Sequence, residues 1–175
     1  MKSLFTFLLV ITLTFLSCNE GKKNNKDNKD TEMTTYYFIR HAEKDRTDAT
    51  NKNPNLNQLG LKRADGWSKY FENIKLDAIY STNYNRTQQT AQPTAKKKKL
   101  KILDYDPSTS YSEDFAKATK GKIVLVVGHS NTTPAFVNMV LGEKKYEDIN
   151  DNDNSQLFIV TVSGDKTTDQ VLSIN

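Results

Sequence analysis

Apolar residues are unevenly spread along this chain, and their spacing separates a leader, a polar spacer and a folded domain. From Leu4 to Leu16 they are almost continuous, behind the positive Lys2 and ahead of the small Ser17. A charged start, a short apolar run and a small residue form the three-part pattern of a signal peptide, expected over residues 1–17. The run falls short of the ~20 residues a membrane-spanning helix needs. Asn19 to Thr35 then offer only Met33 as an apolar side chain among Asn, Lys, Asp, Glu and Thr. Such a stretch cannot bury enough surface to offset its ordering entropy, so a flexible tether is expected over residues 18–35. At Tyr36 the texture changes, and the domain is expected to occupy residues 36–175.

Within the domain the pattern alternates between strands and helices. Tyr36 to Ile39 reads as a buried strand ending at Arg40. Leu59, Ala64, Trp67, Tyr70 and Phe71 lie at three- and four-residue spacings, which predicts an amphipathic helix over Asn57 to Phe71. Leu76 to Tyr80 reads as a second strand. A helix from about Tyr84 to Lys96 follows, capped by Thr82 or Asn83 and either kinked or ended at Pro93. Ile102-Leu103 is a short strand and Glu113 to Thr119 a brief helix broken by Gly121. Ile123 to Val127, an unbroken β-branched and leucine run, is expected to be a central strand buried on both faces. Thr133 to Leu141 is the next helix, with Pro134 in its first turn and Gly142 at its end. Leu157 to Val162 and Val171 to Ile174 close the chain as antiparallel strands at the sheet edge. No repeat is visible, and the alternation implies an α/β domain with a largely parallel sheet covered on both sides.

Composition adds constraints. With 36% hydrophobic and 26% charged residues the chain fits one globular domain with an ordinary core. Its single cysteine is Cys18, so the domain holds no internal disulfide and redox chemistry is disfavoured. Phe15-Leu16-Ser17-Cys18 resembles a loose bacterial lipobox. Cleavage before Cys18 would leave an amine and a thiol for the acyl chains that anchor a lipoprotein. The expectation is therefore an exported protein of a bacterial cell envelope, facing the periplasm or the surface and held to a membrane by its N-terminal lipid. The plainer alternative is an ordinary exported leader with an incidental cysteine. The net charge of +4 comes partly from the tether lysines and from Lys96 to Lys99. Neither cluster carries interleaved aromatics, and no nucleic-acid partner is expected.

The chemistry is concentrated at the ends of the predicted strands. The chain has two histidines, His41 directly after the first strand and His129 directly after the central one. Ligands of open α/β sheets bind beyond the carboxyl ends of the strands, so both imidazoles are expected in one crevice. The second strand leads to Arg86 in the first turn of the next helix, where backbone N–H groups favour anions. With Arg40 beside His41, the crevice would hold two guanidiniums and two imidazoles, a combination suited to phosphate.

Arg40-His41-Ala42-Glu43-Lys44, Arg86-Thr87-Gln88-Gln89-Thr90-Ala91 and Gly128-His129-Ser130 resemble the three signature segments of the histidine phosphatase superfamily. Pro54-Asn55-Leu56 and Leu59-Gly60 with Arg63-Ala64 resemble its connecting stretch, and the similarity runs from Tyr36 to about Gly142. The resemblance implies a three-layer α/β/α sandwich of the phosphoglycerate mutase-like kind. It implies that His41 takes the phosphoryl group to form a phosphohistidine that water hydrolyses, with Arg40, Arg86 and His129 holding the equatorial oxygens and no metal or other cofactor. Asn131 would add a neutral donor.

Family members that cleave alkyl phosphates protonate the leaving oxygen with a carboxylic acid in the segment after the third strand. Asp104, Asp106, Glu113 and Asp114 compete for that role here. Asp106 is favoured and Glu43 is second, while the alternative for Asp106 is that it begins a turn before Pro107. The domain is short for the superfamily and lacks covering insertions, which implies an open site for a phosphorylated small molecule or a phosphoprotein. Hydrolysis of phosphomonoesters, or of phosphohistidine, is thus expected ahead of mutase activity. The rivals are an exported lipoprotein that captures phosphate or phospho-ligands without turnover, and a structural envelope lipoprotein with a vestigial site.

Overall fold

The computed structural model describes residues 32–174, so the leader, Cys18 and the tether up to residue 31 lie outside the described residues. Six strands and four helices alternate: β1 (Met33–Arg40), α1 (Gln58–Tyr70), β2 (Ala78–Ser81), α2 (Asn85–Lys98), β3 (Ile102–Asp104), α3 (Glu113–Thr119), β4 (Ile123–Gly128), α4 (Thr132–Leu141), β5 (Gln156–Ser163) and β6 (Lys166–Ser173). They build one sheet in the order β3-β2-β4-β1-β5-β6. β3, β2, β4 and β1 are parallel, and β5 and β6 are added antiparallel at the β1 edge. The expected α/β fold with a mostly parallel core and late antiparallel strands is the one observed.

Alternation along the strands sends side chains to two separate cores. On one face Val124 and Val126 of β4 join Tyr36 and Phe38 of β1 against Phe115 of α3 and Phe136, Val137 and Val140 of α4. On the other, Leu125 and Val127 join Ile39 against Trp67 of α1, Phe71 just beyond it, and Ala91 and Ala95 of α2. A strand flanked on both faces needs apolar residues at every position, which is why β4 reads as a continuous run.

Several boundaries differ from the sequence reading: β6 begins at Lys166 rather than Val171, and β2 at Ala78 rather than Leu76. β1 begins at Met33, inside the stretch assigned to the tether. Met33, Thr34 and Thr35 pair with Ser163, Val162 and Thr161 of β5, and the Thr34 hydroxyl accepts the Gly121 N–H at 2.9 Å. Ladder bonds use only the backbone, so polar side chains do not bar them. α2 carries on past Pro93 to Lys98 and ends on Lys99 in a left-handed conformation with φ 57°. Its N-cap is Tyr84, with no side-chain cap of its own, and neither Thr82 nor Asn83 serves. The Asn85 N–H is instead met at 2.8 Å by the side-chain oxygen of Asn53, from the distant loop after β1.

The sheet register sets the site. Arg40 at the end of β1 lies opposite Gly128 at the end of β4, and Ser81 of β2 opposite Val127. His41 and His129 therefore leave adjacent parallel strands at the same level.

Candidate active site

His41 is held by its backbone on three sides. Its N–H donates to Gly128 O at 2.9 Å, its carbonyl accepts from Asn154 Nδ2 at 2.7 Å, and the following Ala42 N–H donates to Thr90 Oγ1 at 2.9 Å. The side chain is 3% exposed. Nδ1 sits 2.7 Å from the Ala42 carbonyl, which can only accept, so Nδ1 carries the proton and Nε2 carries the lone pair. Burial pulls the imidazole pKa from 6.5 down to about 3; the Ala42 carbonyl opposes this, while Arg40, His129 and Arg86 add to it. At neutral pH the ring is an uncharged base with a single free nitrogen.

His129 faces it, ring centroids 5.5 Å apart and planes at 67°. An arginine donor, Arg86 Nη2, lies 3.3 Å from His129 Nδ1, so Nδ1 accepts and Nε2 bears the proton. That N–H donates to Thr82 Oγ1 at 2.9 Å, which donates to Thr87 Oγ1 at 3.0 Å, which donates to the Thr82 carbonyl at 2.7 Å. Both polar edges of His129 are thus engaged, and in this structure it orients Arg86 rather than presenting a free donor. Its pKa falls to about 4, through burial first and then Arg86, Arg40 and Lys44. The Arg86 guanidinium also lies 4.5 Å over the Tyr84 ring.

Arg40 is 2% exposed, and most of its fork turns away from a ligand. Nη1 donates to the carbonyls of Asn150 (2.8 Å) and Asp153 (2.9 Å), and Nη2 meets Asp151 Oδ1 at 2.6 Å. Arg40 therefore organises the loop between α4 and β5. Of its nitrogens, Nε is buried and unpartnered among the described residues, as are Nε and Nη1 of Arg86. Three such donor nitrogens beside two neutral imidazoles are suited to an oxyanion, which would satisfy them.

The connecting motif has a packing explanation. Ala42, Leu56 and Ala64 form a small core of their own. A Cβ on Gly60 would stand 2.1 Å from the Glu43 carbonyl, so only glycine lets α1 approach the catalytic loop this closely. Arg63, one turn on, grips the Glu43 carboxylate through Nε (2.8 and 3.1 Å) and Nη2 (2.8 Å). Glu43 is a structural partner here, its carboxylate committed to Arg63.

Although Pro107 lines the crevice, Asp106 beside it is not among the residues that do. It caps the short 3-10 turn Pro107–Thr109, accepting from Ser108 N–H at 2.8 Å and Ser108 Oγ at 2.7 Å. Those bonds lower its pKa, against the need of a general acid, and the turn-forming alternative is the arrangement found. Asn131, exposed at the start of α4, lines a cavity of about 310 Å³ together with Arg40, His41, Lys44, Arg86 and His129. A second cavity of about 490 Å³ adjoins it, lined by His41, Glu43, Lys44, Arg46, Asn57 and Asn154 among others. Among the described residues no cluster of three or more His, Cys, Asp and Glu is placed to hold a metal, and no helix is long and apolar enough to cross a membrane.

The sequence reading left Lys44, Thr90 and the loop Asn150 to Asn154 without roles and gave Thr82 only that of a helix cap. Lys44 stood inside a quoted motif. The loop, an Asn and Asp run, looks like any turn, and nothing local signals that its carbonyls face an arginine more than 100 residues earlier.

This crevice at the ends of a doubly covered parallel sheet defines a class. Residues 36–107 match the model of the histidine phosphatase superfamily (branch 1), in line with the resemblance carried by the sequence motifs. The fold is shared with solved structures of low identity. A phosphohistidine phosphatase SixA from Agrobacterium tumefaciens, so described provisionally, is 21% identical with a TM-score of 0.60, over 80% of this chain and 98% of that one. A phosphoglycerate mutase from Bacillus anthracis is 15% identical with a TM-score of 0.62, over 83% and 95%. An Escherichia coli protein described provisionally as an alpha-ribazole-5'-P phosphatase is 12% identical with a TM-score of 0.62, over 81% and 98%. No curated protein matches the chain.

Proposed function

We propose that this protein is a metal-independent phosphatase that hydrolyses phosphomonoesters or phosphohistidine through a covalent phosphohistidine on His41. The observation that carries the reading is the fixed tautomer of that ring: Nδ1 is committed to the Ala42 carbonyl, which leaves the Nε2 lone pair free for attack. Arg86, with Nε and Nη1 unpartnered, and Arg40 Nε would take the phosphoryl oxygens, Asn131 adding a neutral donor at the rim. Fixed positive charge around a group whose negative charge spreads over three oxygens supplies positioning and electrostatic stabilisation together. A mutase must shield its phosphohistidine from water, and the short connections around this site offer no cover for that, which favours hydrolysis. Lipid on Cys18 would hold the exported domain at a membrane of the bacterial envelope.

The test is hydrolysis of p-nitrophenyl phosphate, with and without EDTA, beside His41→Ala. Turnover is expected to survive EDTA and to disappear in the variant. Undiminished activity of His41→Ala would remove the mechanism. Absent turnover combined with phosphate-dependent thermal stabilisation would favour the capture of phospho-ligands without catalysis.

A further inference from the structure

Cleaving an alkyl phosphate requires a proton for the departing oxygen, and the two carboxyl groups ranked first and second for that role in the sequence, Asp106 and Glu43, are both engaged elsewhere. Asp106 is bonded into its own turn and Glu43 is clamped by Arg63. Asp151, the remaining carboxylate that borders both cavities, is paired with Arg40 at 2.6 Å and Arg46 at 2.8 Å. None of these is arranged to be a neutral acid.

Lys44 occupies the position they vacate. Its side chain borders the cavity that holds the buried arginine nitrogens and also the larger one on the far side of His41, and besides Lys44 only His41 and Asp151 do so. Its ammonium forms no salt bridge or hydrogen bond among the described residues. Its backbone is fixed: Lys44 pairs with Leu56 in an isolated antiparallel bridge, Asp45 N–H donates to Asn55 O at 2.8 Å and Asn57 N–H donates to Glu43 O at 2.9 Å. A fixed backbone thus sets a lysine with an unpaired ammonium at the border of both cavities.

We propose that Lys44 is the general acid of this active site. The inference rests on His41 being the phosphoryl acceptor. As the His41 Nε2 lone pair forms the N–P bond, the P–O bond breaks, its electron pair stays on the leaving oxygen, and that oxygen takes a proton from the Lys44 ammonium. In the second half the neutral Lys44 amine takes a proton from the attacking water, whose oxygen bonds to phosphorus while the N–P pair returns to Nε2. The products are an alcohol and inorganic phosphate, with Lys44 and His41 restored.

The charged groups around Lys44 come from several elements, Arg40 at the end of β1, Arg46 on its own loop, Arg86 on α2 and Asp151 on the α4–β5 loop, with the neutral His129 after β4 as the remaining titratable neighbour. Desolvation, Arg46, Arg86 and Arg40 move the Lys44 pKa below that of an ordinary lysine against the pull of Asp151, the direction that eases proton release.

The experiment compares p-nitrophenyl, phenyl and methyl phosphate with the wild-type protein, Lys44→Met and Lys44→Arg, each variant checked for wild-type Tm. An acid matters in proportion to the basicity of the leaving oxygen. Lys44→Met is expected to lower kcat on methyl phosphate by about 10²-fold or more and on p-nitrophenyl phosphate by less than about threefold. Lys44→Arg, which keeps charge but cannot give up its proton, should fail to rescue methyl phosphate. Equal losses on all three esters in Lys44→Met, or full rescue by Lys44→Arg, would overturn the assignment. A wild-type protein inert even on p-nitrophenyl phosphate would instead overturn the His41 reading beneath it.

Discussion

His41 and His129 are imidazoles buried among cations, and that setting decides their protonation. Because their pKa values drop from 6.5 to about 3 and about 4, both rings are neutral at physiological pH. Between those values and 6.5 the unfolded chain holds more protons than the folded one. These residues therefore contribute stability that is fully present above about 6.5 and is lost as pH falls toward about 3 to 4. In an NMR titration of the free protein, neither ring should protonate until pH approaches about 4. Inorganic phosphate should raise the His129 midpoint, since a bound anion favours imidazolium. A free-protein midpoint near 6.5 for both rings would contradict the burial on which the nucleophile depends. The pair was visible in the sequence as the chain's only histidines, each ending a strand. Their tautomers were not, because the Ala42 carbonyl, Thr82 and Arg86 fix them only through folded geometry.

At the scale of elements, α1 serves as a brace for the catalytic loop. Two of its glycines make a matched pair. Gly60 stands where a Cβ would collide with the Glu43 carbonyl at 2.1 Å, while an added Cβ on Gly66 meets nothing within 4 Å. Gly66→Ala should stabilise the protein by about 0.5–1 kcal/mol, the usual helix-interior gain over glycine. Gly60→Ala should destabilise it by about 1–3 kcal/mol and depress turnover, since the backbone next to His41 must move. Denaturant midpoints and p-nitrophenyl phosphate kinetics on the two variants check this, and similar behaviour of both would show that the contact is not limiting. The spacing of Leu59-Gly60 and Arg63-Ala64 announced a motif. The reason for each residue, one for close approach, one for Glu43 and one for packing on Ala42, belongs to the tertiary contact. The cap of α2 teaches the same: Thr82 has the right chemistry for a cap, but the site uses its hydroxyl for His129 while Asn53 serves the helix.

For the whole molecule, the proposed lipid on Cys18 makes location a property of the first residues rather than of the domain. Full-length protein expressed in a bacterium should partition with membranes, and Cys18→Ala should release it to the soluble exported fraction with p-nitrophenyl phosphate turnover intact. A Cys18→Ala protein that stays with the membranes would remove the lipid as the anchor. The alternation of strand and helix, the buried run of β4 and the strand-end positions of Arg40, His41 and His129 were set by the sequence itself, because hydrophobic periodicity and chain order are local properties. Tertiary structure alone decided which polar groups meet. It extended β1 into the polar Met33 to Thr35 through pairing with β5, and it spent the Arg40 fork on the carbonyls of Asn150 and Asp153. It also withdrew Asp106 into a turn and left Lys44 between two cavities. A carboxylate or ammonium looks the same in any sequence, and its charge, its proton and its reach are fixed only by the partners that distant segments bring to it.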